Sequence, residues 1–246
     1  MDYPKILISA PFSKHKDYIL KDWFDFLKRL TYPGEIEFYF VDNSKDPEYY
    51  KRHLHCGYKI DHYTAPTGQG INKTIAECQN MILDHFVKSD CDWWFSLEVD
   101  VFCPFDTIQR LLAIKKKCCS GLYFIEGERG LHLCVGEINI VGNEIDTQSF
   151  ISEKSFIWSD GTVKKGEQTG MGCLLMHKTI FTDTDIRFRD ESNNQAKELN
   201  GSDTHAFSDA LFYIDMKLAG VETWVDTSIL CHHLNSDWNK ILKKDK

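Results

Sequence analysis

No stretch of this chain offers the roughly 18 consecutive apolar residues that a spanning helix needs, so no segment is expected to cross a membrane. The opening residues, Met1-Asp2-Tyr3-Pro4-Lys5, lack the charged and then apolar pattern of a secretory leader and run straight into an apolar segment. The nine cysteines, an odd number, include no C-x-x-C pair, which argues against a disulfide framework and against a structural zinc site. They read as buried free thiols in a reducing compartment, and a cytoplasmic protein is expected. Basic excess is missing too: 29 Lys and Arg stand against 37 Asp and Glu, a net charge of −8. That balance argues against a nucleic-acid groove or an anionic membrane surface as the main partner. There is no internal repeat, low-complexity tract or interdomain linker, and 246 residues suffice for one large α/β domain.

What is present is an alternation of strands and helices. Ile6-Leu7-Ile8-Ser9-Ala10 reads as a strand stopped by Pro11, and Ile19, Trp23, Phe26 and Leu30 fall on one helical face after it. Pro33-Gly34 turns the chain into Ile36–Val41, a second strand ending in Asp42-Asn43-Ser44, and Tyr58–Tyr63 is a weaker third. Ile71, Ile75, Cys78, Ile82 and Phe86 recur at helical spacing before the apolar run Trp93-Trp94-Phe95-Ser96-Leu97. Such alternation predicts an α/β fold with a mostly parallel central sheet flanked by helices. Ligands of such sheets sit beyond the carboxyl ends of the strands.

The second half changes character. A short helix is expected from Pro104, a strand over Ser120–Phe124, and small antiparallel pieces within 126–166. Gly170–Met176 reads as a core strand whose glycines permit close approach of a ligand or of neighbouring backbone. Residues 189–202 read as a long mobile polar loop, a helix is expected from about Asp203 to Gly220, and strands expected over Glu222–Val225 and Ser228–Cys231 lead to His232-His233.

Chemistry concentrates at Glu98-Val99-Asp100, where the apolar run ends in two carboxylates on one face. Acids often end strands because the chain is surfacing; they also hold hard divalent cations, which prefer oxygen ligands and leave positions open for phosphate. Asp42 falls at a second strand end, so the three acids can line one crevice.

In Val41-Asp42-Asn43-Ser44, Ala76–Asn80, Phe95–Val101, Gly170–Leu175, Ser202-Asp203 and Cys231-His232-His233 the chain resembles a GT-A glycosyltransferase of the family 2 type over almost its whole length. The resemblance implies one GT-A domain over 1–246, with a nucleotide-sugar half over 1–101 and an acceptor half over 102–246. It implies that Asp42 accepts hydrogen bonds from the nucleoside, that Asp100 and His233 bind Mn²⁺ or Mg²⁺, and that Glu98 reaches the ribose or a metal-bound water. Imidazole in the set favours Mn²⁺. His232 is the neighbouring alternative.

The same resemblance places Ala10, Pro11, Gln79, Gly170, Met171, Gly172 and Ser202 along the substrate and makes Asp203 the general base, although Asp203 or Ser202 would also serve as a helix N-cap. Two departures stand out: Gln79 where an Arg is frequent, and Ser202 where a Glu is usual. Trp93 and Trp94 read as core; Trp158 and Tyr123 lie nearer the acceptor side, where a ring can stack on a sugar or pack in the core. The implied activity is metal-dependent, inverting transfer of a sugar from a nucleoside diphosphate to a hydroxyl of a glycan, protein-borne glycan or lipid-linked acceptor, under the 189–202 loop. A nucleotidyltransferase needs a Gly-rich loop after the first strand, where this chain has Ala10-Pro11-Phe12-Ser13; a non-catalytic nucleotide-sugar or glycan binder is the other alternative.

Overall fold

A computed structural model of the chain describes residues 3–127, 130–141, 144–149, 159–190 and 208–234. The N-terminal half alternates as expected. Strand β1 (Ile6–Phe12) leads through a short turn to helix α1 (Asp17–Leu27), β2 (Ile36–Asp42), β3 (Lys59–His62), helix α2 (Ile71–Lys88) and β4 (Trp93–Ser96). Then follow β5 (Val101–Phe102), helix α3 (Thr107–Ala113), β6 (Cys118–Leu122), β7 (Phe124–Gly127), β8 (Gly130–Leu133), β9 (Val135–Val141) and β10 (Glu144–Ser149). The chain continues through β11 (Val163–Gly166), β12 (Gln168–Thr169), β13 (Leu174–His177), the helix Ser208–Leu218, β14 (Thr223–Leu230) and β15 (His232–His233).

The central sheet has eight strands in the order β11-β14-β6-β13-β4-β1-β2-β3. All run one way except β13 and the edge strand β11, which are antiparallel to their neighbours. Its strands read as continuous apolar runs because both faces are covered. Ile6, Ile8 and Phe40 pack on one face with Trp23 and Phe24 of α1, while Leu7, Tyr39 and Trp94 pack on the other with Ile82 and Phe86 of α2 and Phe212 of the later helix. Trp23 lies 5.1 Å from Phe40, ring to ring. Fully burying one such side chain stabilises the fold by roughly 1.5–3 kcal/mol.

Several local expectations change. Residues Met171–Cys173 form a 3-10 turn, and only Leu174–His177 continue as strand. The two expected strands near the C-terminal end are one, β14, whose register with β6 shifts between Val225 and Leu230. The Pro104 segment turns helical at Thr107, and Ile71, expected inward, is 66% exposed at the first turn of α2. The antiparallel pieces within 126–166 are present as the pairs β7-β8 and β9-β10. All nine cysteines are free, and all but Cys56 and Cys134 are buried.

Candidate active site at the carboxyl ends of the strands

Glu98 and Asp100 lie beyond β4, not within it, in the turn that links β4 to β5. The turn is pinned from several sides: Leu97 donates its N–H to Ser9 O at 3.1 Å, Glu98 to Gly172 O at 3.2 Å, and Val101 to Glu98 O at 3.0 Å. Strand β5 then pairs antiparallel with β15, Val101 opposite His233, and Leu234 N–H donates to Asp100 O at 2.7 Å. That pairing carries His233 to the acids; His232, one residue earlier, is exposed.

Ligand-type atoms of Glu98, Asp100 and His233 lie within 4.8 Å of one another. His233 Nε2 stands 3.4 Å from Asp100 Oδ2, and the Lys16 ammonium hydrogen-bonds to the same oxygen. Loss of water, then the charge of Asp100, pushes the Glu98 carboxyl up to about 7. Burial also opposes ionisation of Asp100, but the hydrogen bond from His233 and the Lys16 charge outweigh it and hold that carboxyl below its usual range. For His233, burial works against protonation, and the hydrogen bond and charge of Asp100 overcome it, raising the imidazole.

The donor set suits a divalent cation. Two carboxylates and an imidazole lie within ligand spacing of one another, with His233 Nε2 facing Asp100. The other group of comparable spacing among the described residues, Glu37, Asp90 and Cys91, lies at the opposite strand ends, where Lys5 already pairs with Glu37 and Asp90.

Gly170, Met171 and Gly172 do permit a close approach, and the approaching group is Tyr123. Gly172 N–H donates to Tyr123 Oη at 3.1 Å, and a Cβ on Gly170 would fall 1.7 Å from that oxygen and 2.6 Å from Cys134 Sγ. Met171 is buried, and its carbonyl accepts from Ser96 Oγ at 2.7 Å. Tyr123 is itself buried and packs on His233, ring centroids 5.5 Å apart, so it belongs to the core that seats the imidazole. Trp94 is buried in the core as well.

On the nucleoside side, Asp42 is fully buried at the end of β2. Its Oδ1 accepts from Ser44 N–H at 3.2 Å and Ser44 Oγ at 2.5 Å, an Asx-turn, while Oδ2 lies 2.7 Å from His62 Nδ1. The parallel register of β2 and β3 sets Asp42 opposite His62, whose ring stacks on Tyr50. Ala10 and Pro11 occupy the neighbouring end of β1, and Gln79 is buried on α2.

Three residues escaped the sequence reading. Lys16 and His62 carry no motif; their partners come from distant segments. Asp209, in the first turn of the helix Ser208–Leu218, is close enough for its charge to bear on Glu98 and on Cys134, and burial raises its carboxyl. An acid at a helix start was the only available signal. Ser202, Asp203, Trp158 and most of the 189–202 loop lie outside the described residues.

No known family profile matches the chain, and no curated protein matches it by sequence. Solved structures do match. S. aureus TarS 1-349 in complex with UDP-GlcNAc superposes with a TM-score of 0.55 at 12% identity, over 94% of this chain and 58% of that one. The mannosyltransferase PcManGT from Pyrobaculum calidifontis, in complex with GDP-Man and Mn²⁺, gives 0.58 at 10% identity, over 95% and 58%. The chain has a GT-A-like fold. A CMP:2-keto-3-deoxy-manno-octonic acid synthetase complexed with CTP also matches, at a TM-score of 0.51 and 10% identity, over 99% of this chain and 97% of that one. The chain thus spans only 58% of the length of each of the first two, the TarS and PcManGT chains. Among its described residues no helix is long and apolar enough to cross a membrane.

Proposed function

We propose that the protein is a metal-dependent glycosyltransferase that moves one sugar from a nucleoside diphosphate to a hydroxyl acceptor, with inversion by direct displacement. The observation that carries this reading is the convergence of Glu98, Asp100 and His233 on the strand-end edge that also holds Asp42. Asp100 and His233, with Glu98 beside them, would hold Mn²⁺ or Mg²⁺, which when bound supplies positive charge for a leaving diphosphate. Asp42, backed by His62, orients the nucleoside, with Ala10, Pro11 and Gln79 around it. Gly170, Met171 and Gly172 hold Tyr123 and thereby His233 in place.

The acceptor proton goes to an acid near the start of the helix Ser208–Leu218. Asp203 is the residue that the resemblance indicates; Asp209 is the one whose position supports the role, because its charge reaches Glu98 and its raised carboxyl suits a base. The acceptor is a glycan, a protein-borne glycan or a lipid-linked sugar, and the free thiols favour a cytoplasmic setting. The deciding assay incubates the protein with a panel of nucleotide sugars and acceptors, with Mn²⁺ or with EDTA, and follows nucleoside diphosphate release. Release that needs metal and acceptor supports the reading; donor binding without release from any pair leaves a non-catalytic binder.

One observation favours a second reading. The CMP-sugar synthetase is matched over nearly its whole length, which suits a nucleotidyltransferase. Against it stands the end of β1, which has no glycine between Ala10 and Ser13. Pyrophosphate release from nucleoside triphosphates with a sugar substrate would decide for it.

A further inference from the structure

The acid cluster already holds a cation of its own. Lys16 ends the short 3-10 segment Lys14–Lys16 that follows β1, and its ammonium sits on Asp100 Oδ2. The lysine side chain is 37% exposed and the carboxylate it reaches is 3% exposed, so a surface arm is neutralising a buried acid. No residue of the Lys14–Lys16 segment is buried, and the ammonium can withdraw without disturbing the core. Lysine suits that role because it is a compact point charge on a flexible stem.

The segment is also tied to the other end of the site. Lys14 N–H donates to Ser44 Oγ at 2.8 Å, and Ser44 in turn bonds to Asp42. Asp42, Ser44, the Lys14–Lys16 backbone, Lys16 and Asp100 thus form one continuous chain of contacts from the nucleoside side to the acids. A donor with a diphosphate would lie along it.

We propose that Lys16 is a displaceable counter-cation: it holds Asp100 in the empty site, yields that oxygen to the divalent ion, and then pairs with the donor's diphosphate. The inference rests on the reading of Glu98, Asp100 and His233 as a metal site. Two cations cannot share one carboxylate oxygen without strong repulsion in a poorly hydrated cluster. Once displaced, the ammonium has Glu98 nearby, but in that reading Glu98 is also engaged at the cation, and the fresh anion arriving at the cluster is the diphosphate. Metal alone must expel Lys16, and diphosphate alone finds Lys16 occupied. Each ligand therefore promotes binding of the other, by reciprocal linkage.

The test is a Mn²⁺ titration read by the electron paramagnetic resonance of the free ion, with and without UDP or GDP and corrected for nucleotide chelation. It compares the unaltered protein with Lys16→Gln, Lys16→Arg and Asp100→Asn. Lys16→Gln is expected to tighten Mn²⁺ about tenfold without nucleotide and to shrink the nucleotide effect several-fold, the remainder being the direct attraction between metal and diphosphate. Lys16→Arg, which keeps the charge, is expected to stay closer to the parent than Lys16→Gln in both affinities. If Mn²⁺ binding depends on Asp100 but Lys16→Gln leaves both affinities unchanged or weakens them, the counter-cation role is overturned and the metal site stands. If the unaltered protein binds Mn²⁺ no better than Asp100→Asn with either nucleotide, the metal site itself falls, and this inference with it.

Discussion

Val101 stands opposite His233 in the short antiparallel pair β5-β15, and that register sets an imidazole beside Asp100. The metal proposal therefore depends on a backbone pairing as much as on side-chain type. Replacing Asp100 by Ala should lower Mn²⁺ affinity at least tenfold, by the arithmetic of one lost charged ligand worth about 1.4 kcal/mol or more, and should abolish metal-dependent nucleotide binding. Isothermal titration with and without Mn²⁺ checks it. Unchanged binding would remove Asp100 from the metal site.

The base is found by comparing Asp203→Asn with Asp209→Asn. The variant that removes the base should lose roughly 10²- to 10⁴-fold in turnover while its donor affinity stays near that of the parent. The charge that Asp209 exerts on Glu98 favours it for that loss. Near-normal turnover in both variants would place the base elsewhere.

Gly170→Ala tests the packing that seats His233. The added methyl meets Tyr123 Oη at 1.7 Å, with Cys134 Sγ also within contact, so a destabilisation of about 1–3 kcal/mol or more is expected. Combining it with Tyr123→Phe removes the clashing oxygen and should recover part of the loss in a thermal melt. No recovery would point to the contacts that remain, Cys134 Sγ at 2.6 Å and the Tyr123 ring at 2.8 Å, as the cause.

Metal-free stability should depend on Glu98. Its carboxyl sits at about 7 in the folded protein against 4.5 for the free side chain, so between those values the folded state holds the extra proton. Stability then declines as pH rises through that window, in the direction opposite to an ordinary salt-bridged carboxylate. The raised imidazole of His233 adds to the decline. Glu98→Gln should flatten a plot of melting temperature against pH between about 5 and 8. A slope identical to the parent's would mean that Glu98 is not the group responsible.

Much of the sheet was legible because Ile6–Ala10, Ile36–Val41 and Trp93–Leu97 are apolar on both faces and separated by helical periodicity. The acids at 42, 98 and 100 were legible as polar ends to such runs. Gly170–Met176 misled because a short apolar run has no period of its own, and the turn Met171–Cys173 packs against Tyr123, to whose Oη Gly172 N–H donates. The polar pair Asp226-Thr227 looked like a break between two strands. In the fold Asp226 accepts from Ser228 N–H at 2.9 Å and Thr227 N–H donates to Thr162 O at 3.0 Å, so the strand passes through. Lys16 and His62 were invisible for a different reason: each acquires meaning only when the sheet brings a distant carboxylate to it.

The order in which the ribosome delivers these groups gives the β5-β15 pair one more consequence. Lys16, Glu98 and Asp100 emerge early, and His233 comes only with the last described strand. For most of synthesis the two carboxylates would face each other without the imidazole, with the Lys16 ammonium as the charge at hand to quiet them. In the metal proposal, the three-ligand set is complete only once β15 has paired with β5.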